Sequence, residues 1–404
     1  MRGRLAAALA LAAIAAPTTG LAAAPPGSPQ LQRKLARALR VPHVSPARSG
    51  AEAVDLASGT AVYDQNGSRP LAPASNEKLP LTYAALSVLG PSYRFETDVL
   101  GEGSQDGTTW QGTLVLKGGG DPSLTHWGLQ ALANQVRTAG VRDVTGGLVA
   151  DESWFDARRT AAGWKPSFYL NESAPLSALL VDGDRVGGTL SRNPALAAAL
   201  AFRAALRKAG ITVEGTVHVG VADQYVVPLA SVQSPTLAAI VKFMDRESDN
   251  LTAELLLKQL GATQTEHGTS AAGAAVVTRA LTQAGVPMAG VRIVDGSGLS
   301  VLDRLTANAL TTLLRVAWSD GAIHPALVSA LPVAGVNGTL EDRMRNGPAR
   351  GNVIAKTGTT SEASALSGYV RGRYVFAILQ NGSPLAYWWA RIAQDRFAQV
   401  LAAQ

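Results

Sequence analysis

The hydrophobic and polar positions follow three different patterns along the chain, and each pattern predicts its own structure. Residues 51–63, A-E-A-V-D-L-A-S-G-T-A-V-Y, alternate around a Ser-Gly pair, which predicts a strand, a turn and a second strand. Residues 75–89 are mostly apolar and stop before Gly90-Pro91, which predicts a buried helix. The first part of the chain is therefore expected to combine paired strands with a helix.

The middle of the chain has a different pattern, because short alternating segments are separated by many Gly, Asp and Pro residues. Two segments with helical spacing, near residues 128–139 and 194–208, interrupt these predicted strands. We interpret residues 94–225 as an inserted α+β domain. The two parts that flank it, residues 25–93 and 226–404, are expected to form one discontinuous domain.

Helical spacing returns from about residue 235, and three predicted strands and a terminal helix follow it. The strands contain N-V-I-A-K-T-G, A-L-S-G-Y-V and Y-V-F-A-I-L-Q, and the last helix covers residues 388–402. The complete pattern predicts an α+β fold.

The first 24 residues have the three-part layout of a secretory signal peptide. Met1-Arg2-Gly3-Arg4 is basic, residues 5–16 are apolar, and Ala22-Ala23-Ala24 precede two prolines. The apolar stretch is shorter than the ~20 residues that a membrane-spanning helix requires. We therefore expect cleavage of residues 1–24, export to a periplasmic or extracellular envelope, and no integral membrane anchor in the mature chain.

Composition excludes several kinds of site. The chain has no cysteine, so disulfides, thiolate catalysis and cysteine-ligated metals are excluded. Its net charge of +6 is not concentrated in any run of five basic residues, which argues against nucleic-acid binding. The five histidines have no metal-ligand spacing, and we expect neither a metal nor another cofactor.

Ser75 and Lys78 are the first candidates for chemistry. Residues three apart share one face of a helix, and a serine becomes a nucleophile when a base takes its proton. A lysine can be that base if its pKa is lowered. Only eight of the 36 basic residues are lysines, and the chain contains no second Ser-x-x-Lys. Taken alone, the pair could also be two polar residues on a solvated helix face.

Two further motifs follow, Ser-Asp-Asn at residues 248–250 and Lys-Thr-Gly at residues 356–358. The serine of the first motif can relay a proton to a leaving amine, and its asparagine offers a donor and an acceptor to a peptide. The lysine and threonine of the second can hold a carboxylate, and its glycine lets a substrate backbone approach closely. Alone, the second motif could be an ordinary strand end.

In this order the three motifs resemble those of penicillin-binding proteins and class A β-lactamases. The long interval from Ser75 to Ser248, and the lack of Glu between His267 and Leu340, differ from class A β-lactamases, which need a glutamate there. From about Leu31 onward the chain resembles the D-alanyl-D-alanine carboxypeptidase/endopeptidase family, the class C low-molecular-mass penicillin-binding proteins. The segments that carry the resemblance are P-A-S-N-E-K, L-K-G-G-G-D-P-S-L, S-D-N-L-T-A-E, D-G-S-G-L-S, L-P-V-A-G-V-N-G-T-L and A-K-T-G-T-T-S-E-A-S-A-L-S-G-Y-V.

The resemblance implies a penicillin-binding/β-lactamase-like transpeptidase domain, an antiparallel sheet flanked by helices, with an inserted α+β domain. It implies a serine carboxypeptidase or endopeptidase that acts on peptidoglycan stem peptides and that β-lactam antibiotics acylate. In these roles Ser75 attacks the carbonyl between two D-alanines, Lys78 is the general base, and Ser248 and Asn250 handle the leaving amine and the substrate amide. Backbone N–H groups of Ser75 and Thr359 form the oxyanion hole. The remaining implied substrate-binding residues are Lys356, Thr357 and Gly358.

Two alternatives and three departures from the family stay open at this point. The alternatives are a penicillin-binding wall scaffold with little turnover and a β-lactamase. The insertion is shorter than usual in this family, which leads us to expect one inserted domain. Asp303 lies near the position of a family asparagine, which puts a supporting loop contact in doubt. Pro80 lies five residues after Ser75, where it is expected to disturb the first helical turns.

Overall fold

The computed structural model describes residues 28–186 and 188–404, so the predicted signal peptide lies outside the described residues. Helices and strands alternate along these ranges. The helices are α1 (Pro29–Leu39), α2 (Lys78–Val88), α3 (His126–Thr138), α4 (Pro194–Lys208), α5 (Leu237–Glu247), α6 (Asn250–Thr265), α7 (Ser270–Gln283), α8 (Ala307–Ser319), α9 (His324–Ala330) and α10 (Tyr387–Ala402). The strands are β1 (Ser49–Asp55), β2 (Ala61–Gln65), β3 (Glu96–Asp106), β4 (Thr109–Gly118), β5 (Asp143–Val144), β6 (Leu148–Asp151), β7 (Arg185–Val186), β8 (Thr189–Leu190), β9 (Thr212–Val213), β10 (Val217–Gly220), β11 (Val227–Gln233), β12 (Val353–Thr359), β13 (Ala363–Val370) and β14 (Tyr374–Asn381).

One antiparallel sheet joins the two ends of the chain, with the strand order β12-β13-β14-β1-β2. Helices cover both of its faces. Ala365 and Tyr369 pack with α2 and α8 on one face, and Leu366 and Phe376 pack with α1 and α10 on the other. Burial on both faces explains why β13 and β14 are almost continuously apolar.

A second sheet follows the order β10-β6-β4-β3-β11, with β5 paired to β4 and β9 paired to β5, and α3 and α4 pack on it. Its last strand, β11, pairs with β3 and ends at Gln233, beyond residue 225, where we expected the insertion to end. Strand β11 contains Pro228, a residue more typical of a turn than of a strand. A proline is tolerated here because β11 is an edge strand.

Helix α6 joins the insertion to the larger domain. The Lys258 amine, 1% exposed, forms an ion pair with Asp156 of the insertion. The next residue, Gln259, accepts a hydrogen bond from Trp154 Nε1 at 2.9 Å and donates one to the Tyr93 hydroxyl at 2.7 Å. The insertion is therefore fixed against the helix that begins at Asn250.

None of the helices in residues 28–186 and 188–404 is both long and apolar enough to cross a bilayer. Pro80 lies in the first turn of α2, where backbone N–H groups have no partner within the helix. The helix continues regularly to Val88, so Pro80 does not break it.

Candidate active site

The Ser75 side chain lies in a tight turn that leads into α2. Residues Ala74–Glu77 form a 3-10 turn, and buried Ala74 has a left-handed φ of 47°. The turn brings the Ser75 backbone against β12, where a Cβ on Gly358 would lie 3.0 Å from Ser75 N and 2.9 Å from Pro73 O. Gly358 is therefore the residue that allows the turn and the strand to touch.

The Lys78 side chain is completely buried beneath Ser75. Its Nζ lies 3.2 Å from Ser75 Oγ, 2.8 Å from Asn250 Oδ1 and 2.9 Å from the carbonyl oxygen of Ser297. Burial lowers the pKa of Lys78, and nearby carboxylates, Asp295 foremost, oppose this effect.

Ser248 and Asn250 lie in the short connection between α5 and α6. Ser248 ends α5 with a left-handed φ of 60°, and Asp249 caps α6 by accepting a hydrogen bond from Thr252 N at 2.7 Å. Asn250 faces Lys78 with Oδ1 and donates through Nδ2 to the carbonyl of Glu172 at 2.9 Å. The insertion therefore contributes a backbone group to the site.

The Lys356 amine is the second buried cation of the site. It donates to Ser248 Oγ at 2.8 Å and to the carbonyl of Thr357 at 3.1 Å. Burial, together with the charge of Lys78, lowers the pKa of Lys356 to about 7. Its backbone carbonyl accepts a hydrogen bond from Asn76 Nδ2 at 3.0 Å, which ties β12 to the turn that carries Ser75.

The two threonines of β12 have partners that the motifs do not predict. Thr357 Oγ1 lies 2.7 Å from Thr339 Oγ1, and Thr359 Oγ1 accepts a hydrogen bond from the Arg391 guanidinium at 3.3 Å. Thr339 belongs to L-P-V-A-G-V-N-G-T-L, one of the segments that carry the family resemblance. That segment was therefore a sequence signal for Thr339. Nothing in the sequence near Arg391 indicates its contact with the catalytic strand.

Buried carboxyl groups support the segment that carries the Ser297 carbonyl. Glu254 Oε1 accepts hydrogen bonds from the N–H groups of Gly296 and Ser297 at 3.0 and 2.8 Å. Burial, and then the charge of Asp295, raise the pKa of Glu254 to about 8. Asp303, where the family resemblance put a supporting loop contact in doubt, accepts a hydrogen bond from Val294 N at 2.7 Å.

The structure thus brings every predicted site residue to one place around the Ser75 hydroxyl. It also adds Thr339, Ser297 and Arg391, and the backbone carbonyl of Glu172. In the part of the chain that the structure describes, no group of three or more His, Asp or Glu side chains has a metal-binding arrangement. The chemistry that this geometry offers is serine acyl transfer with a buried amine as base.

The sequence also matches a known family over nearly its whole length. The model of the D-Ala-D-Ala carboxypeptidase 3 (S13) family matches residues 31–194 and 187–404. The chain belongs to this family. The family and the class of enzyme predicted from the sequence are thereby confirmed.

Two curated relatives of this S13 chain are similar along most of their length. A D-alanyl-D-alanine carboxypeptidase from Actinomadura sp. (strain R39) is 34% identical, and the match covers 88% of this chain and 82% of the relative. Carboxypeptidase DacB from Mycolicibacterium smegmatis is 33% identical, with coverage of 86% and 78%.

A solved structure shows the same fold as this S13 chain. It is penicillin binding protein 4 (dacB) from Haemophilus influenzae, which matches with a TM-score of 0.81 and 24% identity over 91% of this chain and 98% of the other. The likeness confirms the predicted fold class, an α+β penicillin-binding domain with an additional domain.

Proposed function

We propose that this chain is an exported serine peptidase that cleaves the bond between two D-alanines in peptidoglycan peptides through an acyl-enzyme on Ser75. The observation that carries the proposal is the position of the Lys78 amine, fully buried and 3.2 Å from Ser75 Oγ. A serine hydroxyl needs an adjacent base to become a nucleophile, and a buried amine is less basic and more often neutral.

A neutral amine can satisfy all three partners of Lys78 and face the serine with its lone pair. A neutral amine has two N–H bonds and one lone pair. The carbonyl oxygens of Asn250 and Ser297 can only accept hydrogen bonds, so they take both N–H groups. The lone pair is then left for the Ser75 O–H, which is the arrangement that proton removal requires.

Acylation follows from this arrangement. Ser75 Oγ attacks the substrate carbonyl carbon as its proton passes to Lys78, and the N–H groups of Ser75 and Thr359 stabilise the negative oxygen. Removing one such donor typically costs about 10²–10³ in rate. When the C–N bond breaks, the proton held by Lys78 passes through the Ser248 hydroxyl to the leaving amine. Water then attacks the ester, Lys78 takes its proton, and Ser75 recovers a proton as the product acid leaves.

The substrate is held by the residues around the serine. Lys356 and Thr357 bind the terminal carboxylate, and Gly358 leaves room for the substrate backbone. The amide of Asn250 keeps a second N–H for the substrate carbonyl. A β-lactam carries a comparable carbonyl and carboxylate, so it acylates Ser75 in the same position. One solved relative, penicillin binding protein 4 from Haemophilus influenzae, has been determined in complex with a β-lactam.

We further propose that the chain acts in the bacterial envelope after export. Its proposed substrate is a component of the cell wall, and residues 1–24 have the layout of a signal peptide.

The test uses the purified mature chain with a fluorescent penicillin and, separately, with peptides that end in D-Ala-D-Ala. Covalent label together with released D-alanine supports the proposal, and a cross-linked substrate tests endopeptidase action in parallel. Label without any product from monomeric or cross-linked peptides would indicate a binding scaffold. Rapid hydrolysis of the drug would indicate a β-lactamase.

A further inference from the structure

Two carboxyl groups lie against each other beneath the active site. Asp295 and Asp303 are both completely buried, and their side chains are within hydrogen-bond contact. Two ionised carboxylates cannot share such a site, because their charges repel and no water screens them. One of the two must therefore carry a proton.

The donors around Asp295 identify it as the ionised partner. Its two carboxylate oxygens accept hydrogen bonds from Gly298 N and Ser300 N at 2.7 Å each, from Trp164 Nε1 at 2.9 Å and from Ser297 Oγ at 3.1 Å. Four donors stabilise the charged form of a carboxyl group.

Asp303 has the opposite surroundings. Its Oδ1 accepts from Val294 N at 2.7 Å and from Asp295 N at 3.4 Å, and no N–H or hydroxyl group among the described residues donates to its Oδ2. The groups that face it are the carboxyls of Asp295 and Glu77, and no described cation forms an ion pair with it. Burial and these two charges raise the pKa of Asp303 to about 12.

We propose that Asp303 is a positioning residue that works as a neutral carboxylic acid, whose O–H donates to the Asp295 carboxylate and fixes residues 294–300. That segment supplies the Ser297 carbonyl, which lies 2.9 Å from Lys78 Nζ. A protonated Asp has one donor and one acceptor at the ends of a planar group, as Asn has. Asp303 thereby replaces an amide, and it touches neither the substrate nor the reacting atoms. The inference rests on the proposed role of Lys78 and deepens it.

Three variants test this assignment: Asp303→Asn, Asp303→Ala and, as a control at the exposed end of β3, Asp106→Asn. The acylation rate with a fluorescent penicillin is expected to fall about 10- to 100-fold in Asp303→Ala, because the amine of Lys78 loses its fixed position. Asp303→Asn restores the rate to within about threefold of wild type, since its N–H replaces the acid O–H. A rate in Asp303→Asn as low as in Asp303→Ala overturns the proposal.

Two further measurements do not depend on activity. In the infrared difference spectrum of wild type minus Asp303→Asn at about pH 8, a protonated-carboxyl band is expected to remain, because only the Asp303 carboxyl group is lost in the variant, while Glu254 contributes equally to both spectra. Folding raises the pKa of Asp303, so the unfolded chain loses this proton at lower pH than the folded chain. Wild type therefore loses stability relative to Asp303→Asn as the pH rises above about 4, and the difference in Tm grows between about pH 5 and pH 8. A difference spectrum without this band, or a constant difference in Tm, shows that Asp303 is ionised.

These results separate the two proposals. If wild type releases no D-alanine and takes no label, the proposed function fails, while the infrared and Tm measurements still decide the state of Asp303. If wild type is active and the protonated-carboxyl band is missing from the difference spectrum, the assignment of Asp303 alone fails.

Discussion

Asn250 presents its carbonyl oxygen, and not its amide nitrogen, to Lys78, with Oδ1 at 2.8 Å from Nζ. The other end of the same amide determines this orientation, because Nδ2 donates to the carbonyl of Glu172 at 2.9 Å. Glu172 lies in the insertion, so the added domain decides which atom of Asn250 faces the catalytic amine.

Replacing Asn250 with Asp is expected to disable this arrangement. The new carboxylate cannot donate to Glu172, and its negative charge raises the pKa of Lys78, which leaves less neutral amine at pH 7. Acylation by penicillin at neutral pH is expected to fall about 10²-fold, and the deficit shrinks as the pH rises. The control is Asn134→Asp on the exposed face of α3. Wild-type acylation rates in Asn250→Asp at neutral pH would show that the orientation of the amide does not matter.

Replacing Gly358 with Ala tests the contact between β12 and the Ser75 turn. The added Cβ would lie 3.0 Å from Ser75 N, so the turn must move away from the strand. We expect the acylation rate to fall at least about tenfold, because the nucleophile and its oxyanion donors shift together. Gly321→Ala is the matched control, since a Cβ there meets nothing within 4 Å. Equal rates for the two variants would contradict the close approach.

The pKa of Lys356, which burial and Lys78 lower to about 7, predicts how substrate binding depends on pH. Lys356 is charged below that pH and becomes neutral above it, so the attraction for the substrate carboxylate weakens as the pH rises. The KM for a peptide with a free terminal carboxylate is expected to increase from about pH 6 to about pH 8. A peptide with an amidated end is the control and should lack this increase. A KM that stays constant for the free acid would remove Lys356 from this role.

The ion pair between Lys258 and Asp156 predicts unequal effects of its two partners on stability. Lys258 is 1% exposed, whereas the Asp156 side chain is 28% exposed. Asp156→Asn leaves a buried cation without its partner and is expected to cost about 3 kcal/mol. Lys258→Met removes the buried charge itself and is expected to cost less. Urea unfolding of both variants measures the difference, and a larger loss in Lys258→Met would contradict this account.

The sequence predicts those site residues that lie together in short motifs. Ser75 and Lys78 are adjacent on one turn, and Lys356, Thr357 and Gly358 follow one another on one strand, so local spacing is enough to find them. The contacts of Glu172 and Arg391 could not be predicted, because they join distant segments through a backbone carbonyl and a side chain without a motif.

In the fold, too, some elements could be predicted from the sequence and others could not. Helix α4 begins and ends where its helical spacing predicts, and Asn193 caps its first turn. Strand β11 was missed because pairing with β3 overrides the local preference of Pro228. Helix α9 was missed because its seven residues are too few for a clear period.

The central claim is that a neutral Lys78 amine activates Ser75. Its most direct test is covalent labelling by fluorescent penicillin in wild type and in Lys78→Arg, with the modified peptide identified by mass spectrometry. Arginine keeps the charge and cannot release its proton, so we expect label on Ser75 in wild type and none in a folded Lys78→Arg variant. Substantial label in Lys78→Arg, or label on another residue in wild type, would contradict the claim.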